Sequence, residues 1–137
     1  MIDDNLKQAT DSQGLSHRLL RNKYVMDHRM TWSIHYHTEA VESFVSELPT
    51  GLLARYLRLA DLMLEFGANL GMPRTRAMSD GLFELRVKGH EGIARVFFCT
   101  LSGERIILLH GFIKKSQKTP LKELKLAREL LAEVKKS

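Results

Sequence analysis

The chain has 137 residues, 44% of them hydrophobic and 27% charged, with 21 basic against 16 acidic residues and a net charge of +5. That is one globular domain's worth of sequence, long enough to bury a core. Its single cysteine, Cys99, excludes an internal disulfide and a thiolate metal cluster.

Nothing in the chain reaches the apolar length of a membrane span, and the acidic opening Met1-Ile2-Asp3-Asp4 lacks the apolar core of a secretory signal. A cytoplasmic protein is expected. Residues 1–30 are polar, mixed in charge and weakly periodic, and read as a flexible or partly helical extension. Patterning begins just after Met26 and Met30, either of which would serve as the translation start, and the folded domain is expected over 31–137.

Trp32 to His37 alternates as a strand, with Trp32, Ile34 and Tyr36 on one side. Thr38 is suited to cap a short helix through Leu48, whose apolar stripe is Val41, Phe44, Val45 and Leu48. After Pro49 and Gly51 a second helix is predicted from about Leu52 to Phe66. Leu53, Tyr56, Leu57, Ala60, Met63 and Leu64 lie on its broad face, and Gly67 and Asn69 suit its C-terminal end. Gly71 to Arg76 reads as a loop carrying two arginines.

A three-strand meander follows, over Leu82 to Lys88, Ile93 to Leu101 and Arg105 to Ile113. Its glycine-bearing turns, Gly89-His90-Glu91-Gly92 and Ser102-Gly103-Glu104, indicate antiparallel hairpins. The last helix opens with Thr119 as N-cap and Pro120 at its first position. It is expected to turn Leu121, Leu124, Ala127, Leu130, Leu131 and Val134 inward. The predicted fold is α+β, β-α-α-β-β-β-α, with the helices packed on one face of the sheet.

The charge is unevenly spread. Between residues 86 and 118 stand Arg86, Lys88, Arg95, Arg105, Lys114, Lys115 and Lys118, opposed only by Glu91 and Glu104. Concentrated basicity of this kind favours a phosphate-rich partner. The run from His110 through Pro120 sets an imidazole, an aromatic ring and three ammonium groups at the exit of the last strand.

Strand periodicity sorts these residues onto faces. Phe83, Leu85, Val87, Ala94, Val96, Phe98, Ile107, Leu109 and Ile113 are expected to face the helices. Glu84, Arg86, Lys88, Arg95, Phe97, Cys99, His110, Phe112 and Lys114 fall on the opposite side. The turn at 89–92 sets Arg86 opposite Arg95, and a hairpin centred between Ser102 and Gly103 sets Arg95 opposite His110. Taken singly, Arg86 is accounted for by pairing with Glu84, Arg95 by lying over Phe97, and His110 by a hydrogen bond. Like charges facing each other across strands cost about 0.2–1 kcal/mol, and an anion between them removes that cost.

A metal-dependent nuclease needs clustered carboxylates, and this face offers only Glu84, so neither metal nor cofactor is expected. A metal-independent ribonuclease needs a base for the ribose 2′-hydroxyl, an acid for the departing 5′ oxygen, and cations for the charge on phosphorus. Arg86 and Arg95 supply bidentate donors. His110 or His90 is expected to carry the transferred proton, Lys88, Lys114, Lys115 and Lys118 assist electrostatically, and Phe112 offers a plane for an unpaired base.

Three stretches carry a family resemblance: Gly81 to Arg86 (GLFELR), Ile93 to Phe98 (IARVFF) and His110 to Pro120 (HGFIKKSQKTP), with Glu123 and Ala127 fitting the same pattern. From Met30 onward the chain resembles the RelE/ParE superfamily of bacterial toxins, in particular the HigB-like branch of type II toxin–antitoxin systems. The resemblance implies a ribosome-dependent endoribonuclease that cuts messenger RNA and inhibits translation. Its expected partners are the ribosome and its mRNA, a cognate HigA-like antitoxin, and operator DNA through the antitoxin complex alone. It maps phosphate-binding arginines to Arg86 and Arg95 and a basic site to Lys114 and Lys115. A proton-transferring residue falls in the neighbourhood of His110 or Phe112. Two other readings stand beside it: a ParE-like gyrase inhibitor, which shares the fold, and a non-catalytic RNA- or DNA-binding module that uses the same basic face.

Overall fold

A computed structural model describes residues 31–114 and 118–136 of the protein. The expected extension at 1–30 and the candidate Lys115 lie outside the described residues. In chain order the elements are β1 (Ser33–Tyr36), α1 (Glu39–Ser46), α2 (Thr50–Phe66), β2 (Thr75–Ala77), β3 (Phe83–Gly89), β4 (Gly92–Leu101), β5 (Arg105–Lys114) and α3 (Leu121–Lys136). No helix among the described residues is long and apolar enough to cross a membrane.

The strands form one sheet in the order β1-β5-β4-β3-β2, with β1 parallel to β5 and every other pair antiparallel. Thr38 caps α1 as expected, its hydroxyl accepting from the Val41 amide at 3.3 Å. α2 begins at Thr50 behind Pro49, which offers no side-chain cap. The Glu91 carboxylate, from the β3–β4 turn, accepts from the Gly51 amide at 2.8 Å instead. The hydrogen bond from that helix-end amide holds the Glu91 carboxyl below the usual glutamate range.

Several features depart from the sequence prediction. The stretch read as a loop contains β2, a three-residue strand on the outer edge of the sheet. It is anchored by Thr75, whose buried hydroxyl donates to Asn69 Oδ1 at 3.0 Å and accepts from the Gly71 amide at 2.8 Å. Three residues are too few to register as alternation.

The helices also cover both faces of the sheet, not one. α1 and α2 take the side that carries Leu85, Val87, Ala94, Val96 and Phe98, all of which are buried. Gly111 belongs to this side, and a Cβ there would collide with the Phe44 ring of α1. α3 packs on the other side, where Ala127, Leu131 and Val134 form a second core with Leu82, Phe97, Cys99, Ile107, Leu109 and Phe112.

Ile107 and Leu109, expected beside Val96 and Phe98, thus belong under α3. A bulge in β5, between the pairs Phe97↔His110 and Phe98↔Leu108, changes the strand's phase there. Leu121, expected inward, is 82% exposed. On α2, Leu52 and Leu59 are buried, while Leu53 and Leu57 are half-buried. Burial also pushes the Cys99 thiol up, as suits a strand residue in a core.

Candidate functional site

The strand register arranges the α3 side of the sheet in ranks, because cross-strand partners share a face. Arg86 faces Arg95, as the two-residue turn at His90 and Glu91 requires. Arg95 in turn faces Phe112, not His110. The next rank toward α3 runs Arg76, Glu84, Phe97, His110, and the rank on the far side runs Lys88, Ile93, Lys114.

Two offsets account for the corrected pairing. The β4–β5 hairpin closes at Leu101↔Arg105 around three residues, with Gly103 and Glu104 both at positive φ (82° and 59°). The bulge beside Leu109 adds a second step. Each shifts β5 by one position, so together they keep His110, Phe112 and Lys114 on the expected face but move them along it.

At the centre lies a buried ion pair. Arg95 Nη1 donates to Glu84 Oε1, with the two side chains 8% and 2% exposed. Glu84 is therefore the partner of Arg95, not of Arg86. Its other oxygen accepts from the Thr119 hydroxyl at 3.2 Å. Thr119, expected to cap the last helix, thus commits its hydroxyl to the sheet, while Pro120 supplies the carbonyl that accepts the first helical amides. Arg95 Nε is buried without a hydrogen-bond partner among the described residues. An unmade bond of this kind costs about 1–3 kcal/mol, and an anionic oxygen would satisfy it.

Around this pair the cations are open. Arg86 and Lys114 are half-buried, Arg76 and Lys88 are exposed, and none of the four makes a hydrogen bond or ion pair with a described residue. Lost solvation first, and then the Arg95 and Arg86 guanidiniums, hold the Lys114 ammonium below the usual lysine range. Arg76 adds to that depression and Glu84 opposes it.

His110 marks the boundary with the α3 core. Its Nε2 stands 2.6 Å from Glu123 Oε1, and its ring lies nearly parallel to Phe97, 8° apart with centroids at 6.4 Å. A carboxylate can only accept, so Nε2 carries the proton and a neutral ring keeps its lone pair on Nδ1. Phe112 is 7% exposed and packed with Phe97 and α3. The plane expected to stack an unpaired base is closed in this structure, because α3 covers that face.

Of the remaining candidates, His90 is exposed at the tip of the β3–β4 hairpin and does not join the ranks, and Lys118 is exposed ahead of α3. Sequence reasoning missed Arg76, Thr119 and Glu123 as members of the constellation. For Arg76 the available signal was its alternation with Arg74 about a buried threonine. Among the described residues no group of three His, Cys, Asp or Glu side chains could hold a metal ion.

No curated protein matches the chain. The family model described as phage-derived protein Gp49-like (DUF891) matches residues 43–132, which takes in α2, all of β2 to β5 and most of α3. The span contains every described member of the ranks. The chain therefore belongs to the Gp49-like family, a RelE/HigB-like family of toxins from toxin–antitoxin systems.

Proposed function

We propose that the protein is the toxin of a type II system of the HigB-like kind, a ribosome-dependent, metal-independent endoribonuclease that cuts messenger RNA. The observation that carries this reading is the opposition of Arg86 and Arg95 at the border of the part of the sheet that α3 leaves uncovered, with an oriented imidazole one rank away. Arg86, the free donors of Arg95 and Lys114 would hold the scissile phosphate and take up charge as it becomes pentacovalent. The 2′-hydroxyl attacks phosphorus, the P–O5′ bond breaks, and a cyclic phosphate and a free 5′-hydroxyl result.

In this reading Nδ1 of His110 is the proton-transfer atom, with Glu123 fixing the ring's tautomer. The depressed ammonium of Lys114 stands beside the same phosphate. Glu84, nearly fully buried, orients Arg95 and does not touch substrate. The toxin would act in the cytoplasm on ribosome-bound message and be neutralised by a HigA-like antitoxin, which alone would bring it to operator DNA.

The test is to incubate the protein with translating ribosomes and map mRNA ends. Codon-phased cuts are expected, and Arg95→Ala should lose them by about 10²–10³-fold, the usual cost of removing one preorganised donor. Because that change also leaves Glu84 buried and unpaired, Arg86→Ala is the companion variant and should lose cleavage with its fold intact. Intact mRNA together with trapped gyrase–DNA complexes would overturn the nuclease in favour of the ParE-like inhibitor.

A further inference from the structure

β2 adds a cation that a single scissile phosphate does not use. Arg76 faces Glu84 across the outermost strand pair, yet the two Glu84 oxygens are already engaged by Arg95 and Thr119. Arg76 is exposed and has no hydrogen bond or ion pair with a described residue.

Around the buried Arg95–Glu84 pair, whose charges cancel, the face therefore carries Arg76, Arg86, Lys88 and Lys114, a surplus of four positive charges. A phosphodiester carries one negative charge. From β2 to β5 the cations span three strand spacings, about 14 Å, too wide for one phosphate to bridge. Arg76 also belongs to the field that depresses the Lys114 ammonium, so its charge reaches across the site.

We propose that Arg76 forms a second phosphate subsite, so that the face binds two consecutive phosphodiesters of single-stranded RNA. Arg86, Arg95 and Lys114 surround the first phosphate, and Arg76 takes its neighbour. This rests on the ribonuclease reading for the identity of the ligand, but its test is a binding measurement that needs no cleavage.

The full-length protein is titrated with non-cleavable 2′-O-methyl oligonucleotides, a dimer with one phosphodiester and a trimer with two. The wild type should bind the trimer at least about tenfold more tightly than the dimer. Arg76→Gln should abolish that gain while weakening dimer binding far less, and should lower the salt slope for the trimer by about 0.7, one phosphate contact on a single strand. Arg105→Gln, which removes a charge at the far hairpin, should change neither.

An equal trimer gain in wild type and Arg76→Gln overturns the subsite, whether or not the protein cuts mRNA. Inorganic pyrophosphate competing as well as the trimer overturns a backbone ligand in favour of a phosphoanhydride. An acidic peptide that competes equally well overturns phosphate recognition altogether. Conversely, an Arg76-dependent trimer gain in a protein that leaves ribosomal mRNA uncut sustains the subsite and overturns the nuclease.

Discussion

The two sides of the central strands start from the same alternation and end differently. On the α1 and α2 side every central position is spent on packing: Leu85, Val87, Ala94, Val96 and Phe98 are fully buried. On the other side α3 covers only part of the sheet, so one portion becomes the core of Phe97, Cys99 and Ile107, and the rest carries Arg76, Arg86, Lys88 and Lys114. The position of a single helix thus decides where apolar residues give way to charge. Arg95, Glu84 and His110 lie along the border, and each is held by a polar partner there.

That division can be broken from either side. The largest effect is expected at the border. His110→Ala should lower ribosome-dependent cleavage by about 10²–10⁴-fold, the usual contribution of a proton-transfer group. Its thermal unfolding should stay close to wild type, because the ring is partly exposed; unchanged cleavage would move proton transfer to another group.

Next comes the α3 core. Leu131→Ala removes a buried side chain between α3 and the sheet and should cost about 2–5 kcal/mol of stability in a denaturant titration. Cleavage per folded molecule should hardly change if the ranks are fixed by strand register alone. A parallel loss of both would mean that α3 also sets the geometry of the cations.

The smallest effect lies on the far side, at Glu91. Its carboxyl is held below the usual range in the folded chain, so it contributes stability that is present above its unfolded pKa and is lost as pH falls through the folded value. Glu91→Gln should flatten the acid limb of a stability-versus-pH curve and leave the neutral region and cleavage almost unaltered. An acid limb as steep as that of the wild type would show that the carboxylate at the start of α2 adds nothing.

The legibility of this molecule in its sequence follows the range of the interactions involved. The Arg86–Arg95 opposition could be read directly, because a two-residue turn between Gly89 and Gly92 leaves only one register. Thr38 as a cap and the apolar stripe of α1 were local features and equally visible. The pairing of His110 was not, since a bulge carries no residue signature and Leu109 looks like any other strand residue. Nor was the burial of Phe112, or the diversion of the Thr119 hydroxyl to Glu84, because both depend on where α3 lands, 35 positions away from Glu84 in the second case. β2 was too short to show itself, and with it Arg76 went unnoticed as part of the site.

The paired offsets in the last hairpin have a consequence for how this chain can vary. The extra turn residue and the bulge act as a matched correction: one step alone would reverse the side to which Lys114 and His110 point. A β5 register that kept only one of the two steps would send those two groups toward α1 and swing Gly111 out from beneath the Phe44 ring. The side on which the site's cations stand is therefore fixed by two small irregularities at once, and a relative that presents His110 and Lys114 on this face should keep both steps or neither.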